Sequence, residues 1–133
     1  ILLTSTESLA DLNKRLLQTI GMGRFRPNVV ISGSGLPWGE DMLADFSIGE
    51  INAHGVKPCA RCVITTTNQD TGARARGDEP MKGEPLATLT AFRNHELGAI
   101  FGNNVIHEGA GTIKIGDRIT AQRLTAPLVF KQA

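Results

Sequence analysis

The residues with the strongest chemical potential are the two cysteines of Cys59-Ala60-Arg61-Cys62, three positions apart and close to Lys57. Several chemistries fit such a pair. A zinc site needs about four nitrogen or sulfur ligands, yet the chain has no further cysteine, and His54, His95 and His107 make no His-x-x-x-His half-site. A thioredoxin-type pair sets its first cysteine at a helix N-terminus, whose dipole favours a thiolate. Here Val63-Ile64-Thr65-Thr66-Thr67 follows, and a β-branched run of that kind reads as a strand. A third option is one thiolate, presented from the start of a barrel strand to a soft metal or a sulfur centre, with Lys57 and Arg61 as nearby cations. Both cysteines could equally be small core residues, because free cysteine is often buried. Spacing alone leaves these readings open.

Other candidates are weaker. In Trp38-Gly39-Glu40-Asp41 a carboxylate could serve as proton donor beside a substrate opening. The plainer reading is a solvated turn with Trp38 laid over the core. Glu84 and Asp117 read as a helix-start charge and a turn residue. The three histidines are far apart in sequence, none has an evident partner, and no role is assigned to them.

Positioning such groups requires a folded frame. At 133 residues the chain can bury one core. With 41% hydrophobic residues and a net charge of only +1 it has neither the composition of a disordered segment nor a basic footprint for nucleic acid or anionic membranes. No apolar run reaches the roughly 18–20 residues of a membrane span, and nothing resembles a signal peptide. The chain opens on Ile1, as an excised or truncated domain would. Two cysteines are too few for a disulfide scaffold, so a reducing cytoplasm is expected.

Leu9, Leu12, Leu16 and Ile20 recur at helical spacing after a Thr4–Glu7 capping pattern, which predicts a helix over 7–20. A second helix is predicted from Pro85, burying Leu86, Leu89 and Phe92. Short β-branched runs at 2–3, 28–31, 46–51, 62–67, 104–108, 112–115 and 118–124, separated by Gly, Pro, Asn and Asp, predict strands. Residues 68–83 read as an exposed loop. The expected fold is mainly β (α+β), a barrel core with two or three flanking helices, as a single domain over 1–133.

Ordered motifs run through this frame. Arg24-Phe25-Arg26-Pro27-Asn28-Val29-Val30-Ile31-Ser32-Gly33, Trp38-x-Glu40-Asp41 and Lys57-Pro58-Cys59-Ala60-Arg61-Cys62-Val63-Ile64-Thr65-Thr66 come first. Glu84-Pro85-Leu86-x-Thr88-Leu89-x-x-Phe92-Arg93, Phe101-Gly102-x-Asn104 and Gly111-Thr112-Ile113-x-x-Gly116-Asp117 follow. Together with the opening Leu3-Thr4-Ser5, they resemble the MOSC family (the molybdenum cofactor sulfurase C-terminal domain), and within it the amidoxime-reducing-component branch, over roughly residues 2–124.

That resemblance implies a MOSC-type β-barrel that binds molybdenum cofactor (molybdopterin), with Cys62 as metal ligand and catalytic centre. It implies cofactor contacts from Arg26 and Asn28, and from Ser5, Thr6 and Ala60. Guanidinium pairs bidentately with phosphate, and an amide can donate and accept along a pterin edge. The implied activity is an oxidoreductase reducing N-hydroxylated small molecules, with electrons from an iron–sulfur, haem or flavin protein or domain. It further implies a preceding N-terminal β-barrel domain that supplies more cofactor-binding groups and is not contained in these residues. Ala60 stands where several relatives carry Ser, Asn68 replaces a common Asp, and the loop from Ala73 to Gly83 is longer than in those reductases. The alternatives are a sulfur carrier with a Cys62 persulfide, or a degenerate structural module. Some family members are fused to pyridoxal-phosphate-dependent sulfurases, and Lys57 could form a Schiff base, but no glycine-rich phosphate cup accompanies it.

Overall fold

A computed structural model describes residues 1–132. Seven strands form one curled sheet, open as a half-barrel, with two helices at its flank. Strand β1 (Leu2–Ser5) runs into helix α1 (Thr6–Asn13); β2 (Val29–Ile31), β3 (Leu43–Ile48) and β4 (Ile51–Ala60) follow. Helix α2 (Leu86–Phe92) precedes β5 (Asn94–His95), β6 (Gly98–His107) and β7 (Ile119–Leu124). The order across the sheet is β2-β1-β6-β4-β3-β7, with β5 paired to β6. The β1–β2 pair is parallel and the others are antiparallel. The mainly β architecture with flanking helices is therefore as expected.

The hydrophobic residues divide into two clusters. Leu3, Leu43, Phe46, Ile48, Ala53 and Val105 fill the curl of the sheet. Leu12, Phe25, Leu89, Ala99 and Phe101 form the second cluster, joined by Leu9, Leu16, Ile20, Trp38, Leu86 and Phe92. Phe25 stacks on Phe101 with ring centroids 3.7 Å apart. Gly55 has no room for a side chain: an added Cβ would overlap the carbonyl oxygen of Leu43.

Several expected elements differ. Helix α1 is capped by Ser5, whose hydroxyl accepts from the Ser8 amide at 3.1 Å, one residue later than the Thr4 pattern suggested. It ends at Asn13 rather than at residue 20, because the Asn13 amide exchanges two hydrogen bonds with the backbone of Ile20. Leu16 and Ile20 still reach the core from this loop. The expected strand over 46–51 is interrupted by a tight turn at Gly49-Glu50, where Gly49 has φ 56°. Strand β4 then continues to Ala60, accommodating Gly55 and Pro58 at irregularities in its pairing with β6. Residues 112–115 form no strand, and Ile115 is fully exposed. The largest difference is at 62–67, where Val63–Thr66 makes a 3-10 turn. The Thr65 hydroxyl donates to the Cys62 carbonyl at 2.9 Å and the Thr66 hydroxyl to the Val63 carbonyl at 2.6 Å. Such local bonds hold the backbone away from the sheet and override the β preference of the side chains.

Candidate functional site

Strand β4 delivers the cysteine segment to the end of the sheet. Cys59 is half-buried, and Cys62, the N-cap of the 3-10 turn, is exposed. Between them Arg61 turns back into the protein. Its backbone amide donates to Ala99 O at 2.7 Å, Nη1 donates to Cys59 Sγ at 3.0 Å and Nη2 donates to Phe25 O at 2.8 Å. The exposed Ala60 packs next to Gly98.

Phe25 belongs to the segment that carries two of the expected site residues. Arg26, immediately after it, is exposed and has a left-handed φ of 51°. Asn28 is exposed as well; its Oδ1 accepts from the Leu2 amide at 2.8 Å and its own amide donates to Leu2 O at 3.0 Å, which fixes the start of β2 against β1. Arg24 Nη1 donates to Thr65 O at 3.3 Å. The cysteine turn and the Arg24–Asn28 segment are thus adjacent, although more than thirty residues separate them in sequence. Ser5 is fully buried and occupied with the α1 cap and with Glu40, while Thr6 is exposed and its hydroxyl donates to Glu7. A polar cleft of about 300 Å³ lies beside the turn, with Arg24, Thr66, Asn68 and Arg74 among its walls.

The acidic turn is not solvated. Residues Gly39–Met42 form a 3-10 turn that is half-buried except at Glu40, which is fully buried. Glu40 is 1% exposed and accepts from the hydroxyls of Ser5 and Ser8, at 2.9 and 2.8 Å. Asp41 pairs with Arg93, which also donates to Ile100 O and lies 4.0 Å above the Trp38 ring. Burial pushes Asp41 up to about 6, against the pull of the Arg93 charge. Sequence separation hid this network: its partners come from α1, β6 and the end of α2, and only the motif pairs Trp38-x-Glu40-Asp41 and Phe92-Arg93 hinted at it.

His54 does have partners. Its ring lies between Asp45 and Glu108, 2.7 Å from each, and Asp45 also accepts from Arg123 Nε at 2.6 Å. Hydrogen bonding to Asp45, then to Glu108, raises the His54 pKa; Arg123, then His54, lowers that of Asp45. No sequence spacing reveals a histidine whose partners sit on β3 and just past the end of β6.

Residues 1–120 match the MOSC domain. The chain belongs to the MOSC domain family. Human mitochondrial amidoxime-reducing component 1 is 37% identical over 126 residues, covering 89% of this chain and 35% of that protein. Rat mitochondrial amidoxime reducing component 2 is 35% identical over 125 residues, with 88% and 35% covered. A rice molybdenum cofactor sulfurase is 38% identical over 113 residues, covering 77% of this chain and 13% of the sulfurase. This MOSC domain thus spans about a third of the length of its mitochondrial relatives. It is a molybdenum-cofactor-related domain.

Proposed function

We propose that this MOSC domain binds molybdenum cofactor as part of an oxidoreductase that reduces N-hydroxylated small molecules, with Cys62 as the metal ligand. The observation that carries this reading is the exposed Cys62 on a turn tied directly to the segment bearing Arg26 and Asn28. The donor set fits the group. Cys62 offers a soft sulfur. Among the described residues no three His, Cys, Asp or Glu side chains gather to hold a metal ion, and Cys62 is the one protein ligand this reading assigns. Arg26, exposed and next to Phe25, suits an anionic phosphate, and the amide nitrogen of Asn28 suits a pterin edge.

When bound, the cofactor supplies two-electron reduction with oxygen abstraction from an N–O bond. The residues of this chain bind and orient: Cys62 would hold the metal, Arg26 the phosphate, and Asn28 and Ala60 would contact the rest of the cofactor. Electrons come from a separate iron–sulfur, haem or flavin protein or domain, and further contacts from a preceding β-barrel domain. The relatives named as amidoxime-reducing components support this branch.

The test is loading with excess isolated cofactor, followed by metal and pterin analysis. Cys62→Ser should lose at least tenfold in bound molybdenum, whereas Cys59→Ser should retain it, because a hard alcohol does not replace a soft thiolate. Equal loss from both variants would point to a dithiol role and overturn the reading. The rice sulfurase favours a second reading, in which Cys62 carries a persulfide. Cyanide-labile sulfur on Cys62 without bound molybdenum would select that one.

A further inference from the structure

The Arg26 backbone is held in an uncommon state. A non-glycine φ of 51° is disfavoured by contact between Cβ and the backbone, and the following Pro27 restricts Arg26 further. Such a state persists only where the surroundings impose it. The imposing contacts fall on the peptide plane between Phe25 and Arg26. On one side its N–H donates to Gly23 O at 3.3 Å; on the other its carbonyl accepts from Arg61 Nη2 at 2.8 Å. The Phe25 ring beneath is fully buried against Phe101, and the Arg61 guanidinium lies 5.7 Å from its centroid.

The same guanidinium reaches Cys59 Sγ with its other terminal nitrogen, and its backbone amide is fixed to β6 at Ala99. Arg61 Nε is buried without a partner. The side chain therefore gives up one donor to keep two others on Phe25 and Cys59, which is unusual for a buried polar atom. Arg61 precedes Cys62 by one residue, so one side chain spans from the metal-ligand segment to the residue before the proposed phosphate-binding cation.

From this geometry we infer that Arg61 is a positioning residue: it sets where Arg26 stands relative to the Cys62 thiol by gripping the Phe25 carbonyl and the Cys59 sulfur together. The inference rests on the proposed cofactor reading for its consequence, but the grip itself is a property of the protein alone. A lysine at this position has one ammonium on a flexible stem and cannot replace a planar fork with two fixed donors.

The test uses the 133-residue chain without cofactor and reads hydrogen exchange at the Arg26 and Asn28 amides in Arg61→Met and Arg61→Lys, with exchange at β3 as internal control. Exchange at Arg26 should accelerate tenfold or more in Arg61→Met and nearly as much in Arg61→Lys, with β3 unchanged. Unchanged protection at Arg26 in a folded variant would overturn the inference. Should Arg61→Met lose protection at β3 as well, Arg61→Lys decides: protection of Arg26 as in the unsubstituted chain would overturn the inference, and selective loss there supports it. Loading with excess cofactor then measures the consequence. Retention should fall in Arg61→Met and in Arg26→Ala, while the double variant should lose little more than either, since coupled residues are non-additive. Independent, additive losses would overturn the positioning role. No cofactor on the unsubstituted chain would instead refute the functional reading, leaving the exchange result to stand on its own.

Discussion

Asp41 is easier to bury protonated than ionised. Its pKa stands at about 6 in the fold, above the ordinary 3.8, because burial outweighs the Arg93 charge. A carboxyl raised in this way favours the fold fully below about pH 4, and that contribution is lost as pH rises towards 6, a change on the order of 3 kcal/mol. Asp41→Asn should therefore flatten the pH 4–6 part of a urea-midpoint profile, while lowering stability at neutral pH by leaving Arg93 without its counter-charge. An unaltered slope would show that Asp41 does not govern it. His54 acts at higher pH. Because its carboxylate neighbours raise its pKa, its contribution is present below 6.5 and is lost as pH rises through the higher folded value. His54→Gln should remove that alkaline decline, read from the same profile extended to pH 9. Neither behaviour was legible in the sequence. Cys62, Arg26 and Asn28 could be named from motifs, but Asp41, Arg93 and His54 acquire their properties from neighbours that only folding brings near.

At the scale of elements, threonine is the instructive case. Val63-Ile64-Thr65-Thr66-Thr67 has strand composition, yet two threonine hydroxyls return to carbonyls three residues back and hold a 3-10 turn. Thr65 is fully buried, so Thr65→Val keeps the volume and deletes the bond. It should cost about 1 kcal/mol and loosen the Cys62 carbonyl, seen as faster exchange of the Thr65 amide. No change in either would mean that the turn is imposed by its flanks. Helix α1 teaches the same lesson: the apolar spacing identified Leu9, Leu12, Leu16 and Ile20 as inward-facing, while the side chain of Asn13 decided where the helix stops. Periodicity records which residues face the core; the competition between side-chain and backbone hydrogen bonds, which sets the boundaries, leaves a fainter trace.

For the whole molecule, the half-barrel ends in β2 and β7, which pair on one side only among the described residues, and the chain covers 35% of human mitochondrial amidoxime-reducing component 1. Purified alone, it should melt cooperatively by circular dichroism yet carry less than stoichiometric molybdenum. Two or three missing charge-assisted bonds, at roughly 1.5–3 kcal/mol each, weaken affinity by several orders of magnitude. A full complement of tightly held cofactor on the purified chain would show that this domain suffices. The mainly β frame was legible because turn residues punctuate it. The topology was not, since nothing local in the sequence says that β6 pairs with both β1 and β4. That pairing has a consequence for biosynthesis. Ala99 anchors Arg61 and Phe101 supports Phe25, so both halves of the candidate site wait for a strand that comes after them in the chain. Until β6 has been made, Arg61 and Phe25 lack the strand they pack on, and distant pairings of this kind form slowly. Under the proposed reading, cofactor would then enter a folded domain through the face where Cys62 lies open, rather than serve as a template around which that domain folds.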